Sequence, residues 1–166
     1  MLRREAFDEA LAERRAPARD ALLARLRLAG EDLPTAWLLE ALAHPDPQIA
    51  MQAAYLLGGL GVRSARGVLE ARLATGHPYV ASESARALGR LGDPAAVPAL
   101  VAALDSPHGF VVGPAIHALV KLGATGALPR IRALVGHDNV YLHEQAESAI
   151  RALAAMPPVA PIAASP

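Results

Sequence analysis

Residues 85–104 read Ala85-Arg86-Ala87-Leu88-Gly89-Arg90-Leu91-Gly92-Asp93-Pro94-Ala95-Ala96-Val97-Pro98-Ala99-Leu100-Val101-Ala102-Ala103-Leu104. This stretch decides the fold. Its first part carries apolar residues at helical spacing and stops at Gly92. A glycine just past a helix supplies positive φ at little steric cost. Asp93-Pro94 then reads as an N-cap followed by proline at the first helical position. One helix ends and the next begins with almost no linker. Leu100 and Leu104 lie four apart, so they share a face of that next helix.

The same grammar recurs along the chain. Gly30, Gly61, Gly92 and Gly123 are each 31 residues apart. Phe7, Leu38, Leu69, Leu100 and Ile131 form a column at that spacing, as do Leu11, Leu42, Leu73, Leu104 and Val135. Leu26, Leu57, Leu88, Leu119 and Ile150 form a third. Ile49, Val80, Val111 and Leu142 form a fourth, and Leu60, Leu91, Leu122 and Leu153 a fifth. A fixed period of this length marks a stacked repeat. Each unit reads as a short helix, a turn rich in Pro, Gly, Asp and His, and a longer helix with apolar residues such as Ile49, Ala53, Leu56, Leu57 and Leu60. No single pair of helices can bury its apolar stripe, so the units must stack.

The expected fold is therefore all-α, an α-solenoid of five two-helix units over 1–30, 31–61, 62–92, 93–123 and 124–155. Residues 156–166, rich in Pro and Ala, cannot continue a helix and are expected to be a flexible tail. Ala54, Ala85, Gly58 and Gly89 are small enough for neighbouring units to approach closely. Glu147 and Arg151 replace the corresponding small residues in the last unit. Charge there would be costly under a further unit, so the array is expected to end on this face.

Composition fits a stack. Hydrophobic residues make up 53% of the 166 residues, but aromatic residues only 4%. Sixteen Lys and Arg balance 16 Asp and Glu, which disfavours a nucleic-acid binder driven by bulk charge. The absence of cysteine excludes disulfides, thiolate zinc sites and thiol nucleophiles. The N-terminus shows no apolar signal region, and no apolar run is long enough to span a membrane. A cytoplasmic protein is expected.

The segment 85–104 resembles the HEAT-like repeat, of the subtype also seen in phycobilisome bilin lyases. The resemblance covers the chain up to the tail and implies a right-handed superhelix whose second helices line a concave, protein-binding face. Such repeats commonly place an Arg just after the first apolar residue of the second helix. Here Ala50, Ala81, Val112 and His143 stand there.

If the apolar stripe of each second helix faces inward, the opposite positions form surface columns. These are Gln48, Tyr79, Phe110 and Tyr141; then Gln52, Glu83, Pro114 and Gln145; then Tyr55, Arg86, His117 and Ser148; then Gly59, Arg90, Lys121 and Ala152. The aromatic column suits a contact surface, although Tyr79, Phe110 and Tyr141 also stand where helix-start residues pack on the preceding turn. Gln48, Gln52, Tyr55, Tyr79, Glu83, Arg86, Arg90, Phe110, His117, Lys121 and Tyr141 are the candidate partner-binding residues. Arg86 and Arg90 can instead pair with Glu83 along one helix. In unit four, Gly109, Gly113 and Pro114 are expected to delay or kink the second helix.

No catalytic residue, metal site or cofactor is expected. The histidines of the inter-helix turns, His44, His77, His108 and His137, are read as solvent-exposed. His143-Glu144 resembles the His-Glu pairs of deoxyhypusine hydroxylase, a HEAT-repeat di-iron enzyme, but Ala50-Met51, Ala81-Ser82 and Val112-Gly113 take that place in the other units. One pair cannot build that centre.

The leading expectation is a monomeric, non-enzymatic interaction module that holds a protein or peptide of acidic and apolar character. One alternative is a small-ligand or bilin-lyase-like role, with an apolar pocket in the groove. Another is a structural assembly subunit.

Overall fold

The computed structural model describes residues 3–13, 16–29, 35–136 and 138–156. The helices are α1 (Arg4–Ala12), α2 (Ala16–Ala29), α3 (Thr35–Leu42), α4 (Pro47–Leu60), α5 (Arg66–Thr75), α6 (Pro78–Leu91), α7 (Val97–Ala102), α8 (Gly109–Lys121), α9 (Leu128–Arg132) and α10 (Val140–Ala154). No strand occurs among the described residues. The chain is an α-solenoid in which shorter odd-numbered helices alternate with longer even-numbered ones. The even helices pack flank to flank in sequence, α4 on α6, α6 on α8, and α8 on α10. The odd helices touch one another less and brace the even ones.

The terminators act as the sequence predicts. Gly61, Gly92 and Gly123 have φ of 69°, 69° and 62°. Gly30 lies outside the described residues. Asp93 caps through its side chain, which accepts from the Ala95 N–H, but Pro94 opens a 3-10 turn, Pro94–Ala96, that leads into α7. Asp46, His77 and Asn139 share one column and cap α4, α6 and α10 with side-chain acceptors. These bonds satisfy helix-start N–H groups that have no partner within the helix.

The predicted columns form one core. Phe7, Leu38, Leu69, Leu100 and Ile131 are fully buried. Leu26, Leu57, Leu88 and Leu119 are buried beside them. Each such side chain contributes about 1.5–3 kcal/mol relative to leaving it exposed. Val135 departs from its column: α9 stops at Arg132, and Val135 beyond it is exposed.

Glycine sets the closeness of the even helices. A Cβ on Gly58 would lie 2.6 Å from the Ala87 Cα, and one on Gly89 would lie 3.0 Å from the Ala118 Cα. Backbone therefore meets backbone at both contacts. The positions where HEAT-like repeats commonly carry Arg hold buried Ala50, Ala81 and Val112, so no polar ladder runs between those units there.

The expected delay of the fourth long helix does not occur. α8 begins at Gly109 and runs to Lys121 with Pro114 inside it. Pro114 has no N–H for the carbonyl four residues back, that of Phe110. Ser82 on α6 donates its hydroxyl to that Phe110 oxygen at 2.8 Å. The neighbouring helix supplies the missing donor, and the proline is tolerated.

At the last helix Arg151 Nη1 lies 3.8 Å from Glu147 Oε2, an intrahelical pair four residues apart. Arg27, which shares the column of Arg151, donates instead to the Gly59 carbonyl at 3.1 Å.

Candidate functional site

Positions seven apart on a helix share a face, so each long helix presents its surface columns as one stripe. On α6 the stripe is Tyr79, Glu83, Arg86 and Arg90. On α8 it is Phe110, Pro114, His117 and Lys121. Tyr79 is 60% exposed and Phe110 43%. Arg86, His117 and Lys121 are exposed, Glu83 is half-buried and Pro114 is buried. Each stripe thus rises at an aromatic ring, sinks, and rises again at a cation.

The aromatic columns meet across units. The Tyr79 and Phe110 rings stack with centroids 5.2 Å apart at 24°. His77 stacks on Tyr79 at 5.5 Å, and His108 on Phe110 at 5.4 Å. Tyr141, 55% exposed, continues the row. Its ring edge lies over Gly113, where a Cβ would stand 3.1 Å from the Tyr141 Cε1. Gly113 lets the Tyr141 ring approach α8 closely; a side chain there would push the ring out by a few tenths of an ångström. His77 also accepts from the Tyr79 N–H through Nδ1, so it caps α6 and extends the ring row at once.

Other candidates are held inside the molecule. Gln52 is buried, 2% exposed, and its Nε2 donates to the Glu13 carbonyl at 2.7 Å. It is not a surface residue, because its amide is engaged at the end of α1. Tyr55 is half-buried and donates its hydroxyl to Asp20 at 2.9 Å. Its ring lies between the guanidinium groups of Arg19, 3.8 Å from the centroid, and Arg90, 4.9 Å from it. Burial, followed by the bond to Asp20, raises the Tyr55 hydroxyl above its ordinary pKa. Gln48 is half-buried, with its N–H bonded to Asp46.

Glu83 sits between these two regions. Its side chain is only 14% exposed, and it pairs with Arg90 and, at 3.8 Å, with Arg86. Burial pushes its carboxyl up, and the charges of Arg90, Arg86 and Arg19 offset this only in part. The expected Glu83 pairing is therefore present, but Arg86 stays mostly exposed.

Sequence reasoning missed Arg19, Asp20 and Ser82: Asp20 and Ser82 share a 31-residue column with Met51, Gly113 and Glu144, but no residue type repeats in it to mark their bonds. The places of His77 and His108 beside the aromatic column were legible, since the four N-cap positions repeat every 31 residues. His44, His77 and His108 are exposed, as expected. His137 lies outside the described residues. No group of three or more potential metal ligands occurs among the described residues, and no described helix is long and apolar enough to cross a membrane.

The HEAT-repeat family profile matches residues 35–113 and, overlapping them, 68–154. The chain belongs to the HEAT-repeat family. No curated protein sequence matches it. Among solved structures, the complex of CpcE and CpcF of phycocyanin lyase from Nostoc sp. PCC7120 is similar, with a TM-score of 0.71 and 26% identity over 92% of this chain. The chain spans 65% of the matched chain's length. The bilin-lyase subtype seen in residues 85–104 thus agrees with a likeness that extends over nearly the whole solenoid. This neighbour overturns the expectation of a non-enzymatic chain, because it belongs to a lyase.

Proposed function

We propose that this chain is a bilin-lyase-like HEAT-repeat protein that takes a linear tetrapyrrole on the face formed by α6, α8 and α10 and works with a second protein subunit. The carrying observation is the likeness to the CpcE–CpcF phycocyanin lyase complex, at 26% identity over 92% of this chain. That neighbour is a complex of two named proteins, which supports a protein partner here. The exposed row of Tyr79, Phe110 and Tyr141 supports a flat conjugated ligand, since aromatic faces prefer stacked or tilted aromatic neighbours. The reading takes residues 1–155 as five helix-pair units with the boundaries given above, followed by the segment 156–166.

The test is an absorbance spectrum. The chain is purified from cells that produce a linear tetrapyrrole. A visible band co-eluting with the protein in stoichiometric amount is the expected result. A colourless protein that also fails to take up added biliverdin would contradict the reading.

A further inference from the structure

The face carries two different kinds of surface, separated by a sunken floor. On one side stands the row of rings, Tyr79 stacked on Phe110 and Tyr141 laid over Gly113. On the other stand Arg86, His117 and Lys121. Arg86 follows Tyr79, and His117 follows Phe110, by seven residues, which is about 10 Å along a helix. Glu83 and Pro114 lie between, half-buried and buried.

The charge of this face is only partly spent internally. Lys121 and His117 make no ion pair among the described residues, and Arg86 reaches Glu83 only through Nε at 3.8 Å. Glu83 is the only carboxylate on the two stripes, and Arg90 already pairs with it. An incoming anion therefore meets Lys121 and a loosely held Arg86, and no unpaired negative charge on the α6 and α8 stripes. The rings offer no charge at all. Lys121 follows Phe110 by eleven residues, so a ligand matched to both surfaces is flat and conjugated at one edge and acidic about 10–16 Å away along the helices.

We propose that this trough reads a conjugated dicarboxylic acid in two parts, with its rings on Tyr79, Phe110 and Tyr141 and its carboxylates on Arg86 and Lys121. The inference rests on the tetrapyrrole reading above and adds to it an orientation and a requirement for free acid groups. The rings supply area with no charge preference. The cations supply charge-assisted hydrogen bonds, which an esterified ligand cannot make as strongly.

Biliverdin and its dimethyl ester separate the two parts. They share the conjugated system and differ only in the acid groups. Each is titrated into the full chain while absorbance is followed. The free acid is expected to bind at least about tenfold more tightly than the ester, about one charge-assisted contact. Arg86→Ala combined with Lys121→Ala is expected to bind both ligands as the wild type binds the ester. Tyr79→Ala combined with Phe110→Ala is expected to weaken both ligands alike and keep their ratio. All four residues are exposed, and far-UV circular dichroism checks that the variants fold. Equal binding of acid and ester by the wild type overturns the orientation while leaving the tetrapyrrole reading standing, and so does a preference that survives in the Arg86/Lys121 variant. Binding of neither ligand overturns both. Displacement of biliverdin by an equal concentration of an acidic, tyrosine-bearing peptide would assign the face to a protein and also overturn the proposal.

Discussion

The Ser82 hydroxyl donates to the Phe110 carbonyl at 2.8 Å, from one long helix to the next. That oxygen is the one Pro114 cannot serve. The bond joins α6 to α8 at the point where Phe110 enters the ring row, so helix repair and site construction share one contact.

Ser82→Ala should cost about 1–2 kcal/mol, because the Phe110 oxygen then lacks both its helical and its borrowed donor. Pro114→Ala returns a backbone N–H to that oxygen. In the Pro114→Ala background, removing the Ser82 hydroxyl should cost about 1 kcal/mol less. Urea unfolding of the four proteins measures the coupling. Additive effects would show that Ser82 does not stand in for the missing donor.

How much of this was legible in the sequence depends on the residue. Gly61, Gly92 and Gly123 could be read because positive φ leaves a glycine column at fixed spacing. The core columns could be read because stacking demands the same apolar position in every unit. Gln52 could not. Periodicity places it on the surface, yet the Glu13 carbonyl at the end of α1 takes its amide. Tyr55 fails for a related reason, since Arg19 and Asp20 on α2 engage it, while the matching positions of the next two units hold Ala50, Met51, Ala81 and Ser82. Pro114 reads as a helix breaker only while Ser82 is unseen. Local pattern carries the repeat, whereas contacts made once, at the first unit or around an irregular proline, leave no periodic trace.

The glycines separate packing from propensity. Gly58→Ala and Gly89→Ala should destabilise by about 1–3 kcal/mol through overpacking. Their new Cβ atoms would lie 2.6 Å and 3.0 Å from the Cα atoms of Ala87 and Ala118. Gly67→Ala should do the opposite. It lies in the first turn of α5 with nothing within 4 Å of an added Cβ, so it should gain about 0.5–1 kcal/mol from helix propensity and lost unfolded-state freedom. Melting temperatures of the three variants decide. A stable Gly58→Ala protein would mean that α4 and α6 are not held at backbone contact.

Glu83 predicts a pH dependence with a definite sign. Burial raises its folded pKa above the ordinary 4.5, so the folded state binds the proton more tightly than the unfolded state. Its contribution to stability is complete below 4.5 and is lost as pH rises through the raised value. Glu83→Gln keeps an acceptor for Arg90 but cannot ionise. Wild type should therefore lose stability relative to Glu83→Gln from pH 4.5 upward. Urea unfolding midpoints across that range test it. Parallel profiles would mean that the Arg90 and Arg86 charges fully offset the burial.

Visible circular dichroism of biliverdin mixed with the chain shows whether the ring row of this HEAT solenoid holds a linear tetrapyrrole. A flexible chromophore fixed in one twist on a chiral surface shows an induced band. Such a band is expected with the wild type, and its loss with the Tyr79→Ala/Phe110→Ala double variant. No induced band with the wild type, or the same band with the double variant, would contradict the tetrapyrrole reading.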